Sequence, residues 1–139
     1  MRIREALLAL VLTGCAARPE AGPERGTATF RLGEEARLAG VAVRVLRVIE
    51  DSRCPSDVQC IHAGTVGIAA RLSDGDGARE AVLGLDDPRD VGGGLWLGLI
   101  AVCPPQRPAG AAAGANDRYV LAFSRGSPLP AIDFACPAA

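Results

Sequence analysis

The sequence predicts an all-β domain: a single antiparallel β-sandwich, or a small barrel, of six to eight short strands. Three observations carry that expectation. Apolar and polar residues alternate over short stretches, turn-forming Gly, Asp and Pro recur between those stretches, and no long segment keeps a helical period.

The elements follow in order. "TATFRL" (27–32) is a first strand. "EARLAGVAVRVLRVIED" (35–51) is a longer β-rich stretch, broken near Gly40, with Val41, Val43 and Val45 on one face. "TVGIAARL" (65–72) is the next strand, and "SDGDG" (73–77) is a hairpin turn, because Asp-Gly supplies the positive φ such turns need. "AREAVLGL" (78–85) is the returning strand, with Ala81, Leu83 and Leu85 alternating against Val82 and Gly84. "DDPRDVGGG" (86–94) is an exposed acidic loop. "LWLGLIAV" (95–102) and "DRYVLAFS" (117–124) are the last strands, the latter with Tyr119, Leu121 and Phe123 on one side. Between them "PPQRPAGAAAGAND" (104–117) is a mobile excursion; its alanines favour helix, but the flanking Gly and Pro favour loop. Trp96 and Tyr119 read as core residues. A sandwich of about this many short strands is immunoglobulin-like in architecture.

The chain opens "MRIREALLALVLTGC", with Arg2 and Arg4, an apolar run over 6–12, small Thr13 and Gly14, and Cys15. That is the plan of a secretory leader. Its apolar run is too short for the roughly 20 residues of a spanning helix. "LTGC" resembles the bacterial lipobox. The resemblance implies cleavage before Cys15, a diacylglycerol thioether on Cys15, and an acylated amino group, which together anchor a protein stably where one acyl chain does not. Ala16, rather than Asp, implies delivery to the outer membrane, facing the periplasm, in a Gram-negative host. The expected organisation is a leader over 1–14, a lipidated Cys15 and flexible tether over 15–26, and a β-sandwich over 27–139 ending in a loop-rich tail.

Composition excludes several classes of function. The 139 residues suit one domain, and the formal net charge is −1. All 15 basic residues are Arg, so Schiff-base chemistry on Lys is excluded. No basic segment stands out, and nucleic acid is not an expected partner.

With Cys15 set aside, Cys54, Cys60, Cys103 and Cys136 allow three pairings. Export favours their oxidation. Spacing predicts Cys54–Cys60. Elimination then predicts Cys103–Cys136, which would pin the C-terminal tail. The stretch "EDSRCPSDVQCIHAG" (50–64) has two other readings. Cys54, Cys60 and His62 with Asp57 could ligate zinc, but zinc thiolates more often come in closer pairs with a second ligand pair elsewhere, and His62 is the only histidine. A redox pair wants C-x-x-C at a helix N-terminus, and this spacing differs.

The same stretch resembles the signature of a loosely defined group of small bacterial secreted proteins and lipoproteins: Asp-Ser-Arg-Cys-Pro, a short gap, Val-Gln-Cys, then an aromatic residue followed by Ala-Gly. Asp51, Ser52, Arg53, Cys54, Pro55, Val58, Gln59, Cys60, Ala63 and Gly64 match it, and His62 departs from it. The resemblance implies a sandwich-like fold and export, with no mechanism, and makes His62 a packing residue in the place of an aromatic ring.

Other candidates are weaker. Asp74 and Asp76 are half a calcium loop without its later ligands and bidentate Glu. Ser52, Ser56 and Ser73 lack a nucleophile motif. "GGG" (92–94) precedes a strand, where a phosphate loop would precede a helix. The expected function is that of a lipid-anchored envelope protein, a non-catalytic module that binds an envelope protein or a small ligand, with no metal and no cofactor. The alternative is an envelope metal-handling or thiol-redox protein using the Cys54–Cys60–His62 loop.

Overall fold

The computed structural model describes residues 23–138; the leader, Cys15 and the tether as far as residue 22 lie outside the described residues. Eight strands form: β1 (Arg25–Phe30), β2 (Glu35–Leu38), β3 (Val41–Asp51), β4 (Val66–Asp74), β5 (Gly77–Gly84), β6 (Arg89–Asp90), β7 (Leu95–Cys103) and β8 (Arg118–Arg125). They make two four-stranded antiparallel sheets, β1-β8-β7-β6 and β2-β3-β4-β5. The all-β sandwich is the fold. Strands β2 to β5 and β6 to β8 each run as a meander, and β1 pairs with β8, the last strand, across the length of the chain. β1 begins at Arg25, two residues before Thr27, and β6 lies inside the segment expected to be only loop.

The two inner faces share one core. Val43, Val45, Ile68, Leu72 and Leu83 from one sheet meet Leu95, Leu97, Leu99, Tyr119 and Leu121 from the other. Strict alternation from Val45 would turn Arg47 and Ile49 inward. Two β-bulges prevent this, between Val45 and Arg47 and between Val48 and Glu50. Each inserts one residue and flips the side chains that follow. The pairs become Val45↔Ala70, Val48↔Ile68 and Asp51↔Val66, so Arg47 and Ile49 face solvent while Asp51 arrives on the inner side at the strand's end. A third bulge, between Leu99 and Ala101, keeps Val102 in the core and leaves Ile100 half-buried at the sheet margin.

β8 is buried on both sides from Tyr119 to Ser124. Its outer side is covered because the chain after Arg125 turns back along the sheet. Leu129 and Pro88 approach Gly98 of neighbouring β7, the Ser124 and Ser127 hydroxyls lie 3.0 Å apart, and Cys136 is bonded to Cys103. Trp96 is half-buried on this outer side, while Tyr119 is fully in the core.

The excursion over 104–117 is tied down. Ser56 N–H donates to the Arg107 carbonyl at 2.9 Å, Arg107 N–H donates to the Cys54 carbonyl at 3.1 Å, and Ala109 N–H donates to Ser56 Oγ at 3.3 Å. Composition suggested mobility because the partners of this segment are supplied by a loop some fifty residues earlier in the chain, at Ser56 and Cys54.

The β2–β3 hairpin turns through Ala39 and Gly40, both at positive φ (47° and 84°). Ala in this left-handed region costs roughly 1–2 kcal/mol, whereas Asn tolerates it. Ala39→Asn is therefore expected to raise stability by about 1 kcal/mol. Urea unfolding with an unchanged m-value and a higher midpoint is the check; a lower midpoint refutes it.

Candidate functional site

Hydrogen bonds locate the two ends of the sandwich. At one end Arg125 reaches the Ala39 and Gly93 carbonyls, and Arg79 donates to the Val91 carbonyl at 2.7 Å. Arg25, where the chain enters β1, pairs with Ser124 at this end. The cysteine loop is at the other end, where β3, β7 and β8 have the termini Asp51, Cys103 and Arg118.

Arg53 organises that second end. Its Nε donates to Asp51 Oδ1 at 3.0 Å and its Nη2 to Asp51 Oδ2 at 2.7 Å. Nη2 also donates to Asp117 Oδ2 at 2.6 Å, and Nη1 to the Pro104 carbonyl at 2.7 Å. The side chains are nearly sealed from water: 4% exposed for Arg53, 3% for Asp51 and 6% for Asp117. Hydrogen bonding to the Arg53 guanidinium holds the Asp51 carboxyl below its usual range, against the opposing effect of burial. Burial disfavours the Arg53 charge, but the two carboxylates outweigh it and raise its pKa. Asp117 Oδ2 also accepts from Gly114 N–H at 3.1 Å. A side chain at Gly114 would run into Leu32, 2.5 Å from its Cδ1, and would need the positive φ of 83° that L residues avoid.

The opening residues of the cysteine loop act together. Ser52 Oγ accepts from Thr65 N–H at 2.9 Å, and Ser52 N–H donates to the Thr65 carbonyl at 2.9 Å, so the loop closes on itself. Cys54 and Cys60 are disulfide-bonded, and Cys103 and Cys136 form the second bridge. Gly64 lies against the main chain of Ser52. A methyl group there would sit 1.7 Å from the Ser52 carbonyl oxygen, so only glycine closes the loop at this point.

Both bridges border one groove of about 910 Å³. It is lined by the cysteine loop over 56–64, by Leu85 and Asp86, by β7 at 100–102, and by the tail at 134–136. Its volume is at the upper end for small-molecule sites. Val58 is half-exposed, and Ile61 is 93% exposed on the rim. Asp86 holds a left-handed φ of 58°, tolerated best by Asp and Asn among side chains, while its N–H donates to the Leu99 carbonyl at 2.9 Å.

The structure brings Cys54, Cys60 and His62 to this groove but leaves no thiolate at Cys54 or Cys60, both sulfurs being in the bridge. Among the described residues no three His, Cys, Asp or Glu side chains cluster as metal ligands do. Ser56, Asp57 and His62 all border the groove, and no hydrogen bond joins any two of their side chains. His62 is exposed. Asp74 and Asp76 are at the opposite end, in the β4–β5 turn, where Asp74 pairs with Arg79 at 2.7 Å. Sequence reasoning missed Asp117, Asp86, Ile100 and Phe134 as parts of this end. Only Asp117 carries a signal, an acid at the first position of an expected strand.

The fold and site define a small disulfide-bonded β-sandwich with a groove at one end. Comparison with protein-family models, with curated proteins and with solved structures finds no match to the chain.

Two predictions follow from the buried cluster. Tyr119, the only tyrosine in the chain, has a fully buried hydroxyl with no hydrogen-bond partner among the described residues. Burial first, and then the Asp117 charge, push its pKa up to about 12. Phenolate absorbance of the native protein is thus expected to titrate near 12, and that of the protein in denaturant near 10. Because the unfolded phenol ionises first, stability falls as pH rises from about 10 through 12, by roughly 2–3 kcal/mol. A native midpoint at the denatured value refutes this.

Arg53→Met leaves two buried carboxylates without a counter-charge and is expected to cost about 3–5 kcal/mol at neutral pH. In the wild type, the lowered Asp51 pKa contributes stability that is present above the unfolded value of 3.8 and lost as pH falls through the folded one. In the variant, acid neutralises the orphaned Asp51 charge. The stability gap between the two proteins should therefore narrow from pH 7 towards pH 4, as read by urea unfolding.

Proposed function

We propose that this protein is a lipid-anchored binding module of a bacterial cell envelope, held through Cys15 and engaging a ligand in the groove. The observation that carries this reading is that Arg25, where the chain enters the first strand, and the groove stand at opposite ends of the sandwich. A domain tethered through the segment before Arg25 presents its groove away from the bilayer. Fully extended, the residues between Cys15 and Arg25 reach on the order of 35 Å, enough to hold the domain clear of the lipid headgroups. Two disulfides agree with an oxidising compartment, the outer-membrane face of the periplasm in a Gram-negative host.

Two measurements test the reading. Labelled fatty acid should enter the wild-type protein and be absent from Cys15→Ala. A photoreactive amino acid at Ile61 should give a discrete crosslinked product in the native envelope, whereas one at Ala78, exposed at the opposite end, should not. Equal labelling of both proteins, or identical crosslinking from the two positions, refutes it.

A further inference from the structure

The groove has two properties that its shape alone does not explain. The first concerns main chain. Among the described residues, neither the cysteine loop over 59–64 nor the tail over 128–138 makes any main-chain hydrogen bond, although both run between well-paired strands or along one. Both segments contribute to the groove, the loop over 59–64 and the tail over 134–136. Along the tail, Leu129, Ile132, Phe134 and Cys136 are the half-buried positions and the residues between them are exposed. A segment of alternating burial with unused C=O groups, and unused N–H groups at every position but Pro128, Pro130 and Pro137, offers an added strand what a sheet edge offers.

The second property is charge. Three charged side chains border the groove: Arg53, Asp57 and Asp86. Arg53 is already committed to Asp51 and Asp117, so the two that reach solvent are both acids. Val58, Ile61, Ile100 and Phe134 contribute apolar surface to the same groove.

We infer that the groove takes an extended, basic polypeptide segment, whose main chain pairs with the unpaired loop and tail, whose alternate apolar side chains cover Ile61 and Phe134, and whose Arg or Lys residues face Asp57 and Asp86. This rests on the binding-module reading and names its ligand class. A small apolar ligand would cover Ile61 and Phe134 but leave the main chain of both segments unpaired. A strand satisfies both needs at once, with main-chain bonds giving affinity and side-chain pockets giving specificity.

The probe is a short peptide alternating Val with Arg, titrated into the oxidised domain by calorimetry. Three controls accompany it: the same peptide with Glu for Arg, with alternate peptide nitrogens methylated, and with Ser for Val. The Arg peptide should bind about tenfold or more tighter than the Glu peptide, with the difference shrinking as salt rises. Methylation and Ser replacement should each abolish binding. Asp57→Asn with Asp86→Asn should remove the preference for Arg over Glu while keeping residual affinity, and Ile61→Asp should remove binding altogether. The native Tyr119 titration confirms that each variant keeps its fold.

Equal binding of the Arg and Glu peptides overturns the inference, as does undiminished binding of the methylated one. Self-association abolished by Ile61→Asp overturns it too, by making a second copy the occupant. If no peptide binds but the photoreactive residue at position 61 still gives its discrete product in the envelope, the ligand class is wrong and the binding module stands. If that product is also missing, both fall.

Discussion

One guanidinium holds the groove end of this domain together. Arg53 follows β3, Pro104 follows β7 and Asp117 precedes β8, so three chain segments meet only where a planar fork with several donors reaches them all. Lysine, with one point of charge, could not make the paired bonds to Asp51 while also reaching Asp117 and a carbonyl. The excess negative charge of two carboxylates around one cation is tolerated because Asp117 also takes the Gly114 amide. Sealing this cluster from water is what strengthens its bonds, and also what makes the loss of any one member expensive.

Everything beyond Arg53 depends on that anchor. The loop that follows has almost no internal hydrogen bonding, so its shape is imposed from outside by the Cys54–Cys60 bridge, the Ser52–Thr65 clasp and the contact of Gly64 with Ser52. For a loop this short the bridge removes on the order of 2 kcal/mol of disorder from the unfolded chain. On the far side of the groove the tail is held in the same way, with Cys103–Cys136 standing in for a strand's ladder. The groove is therefore bounded by main chain that is fixed in place without being used up.

Much of the fold was legible in the sequence because period-two alternation is a local signal. Val41, Val43 and Val45, and equally Tyr119, Leu121 and Phe123, show their buried face without reference to any partner. Both disulfides were legible from spacing and elimination. The bulges in β3 were less so: "RVLRVIED" records them only as a conflict, since strict alternation would bury Arg47. The site was legible in part. The loop over 51–64 announces itself through Cys, Pro and Gly, and its first acid and arginine proved to be the clamp. Asp117, Asp86 and Phe134 are ordinary residues locally, and acquire a role only when the meander brings their segments to one end. The grip of the loop on the excursion over 104–117 is likewise a long-range fact, written in backbone bonds that carry no side-chain signature.

The placement of Arg25 and the groove at opposite ends has a mechanical consequence. Any pull between whatever holds the chain ahead of Arg25 and whatever occupies the groove runs along the strands. β1 pairs with β8 over all six of its residues, and antiparallel hydrogen bonds lie perpendicular to the strands. The load therefore falls on that ladder in shear, with its rungs strained together and none peeled first. Traction applied across the ladder, at right angles, would open the same bonds one after another from Arg25. The domain is therefore stiff to a pull along its strands and weak to one across them.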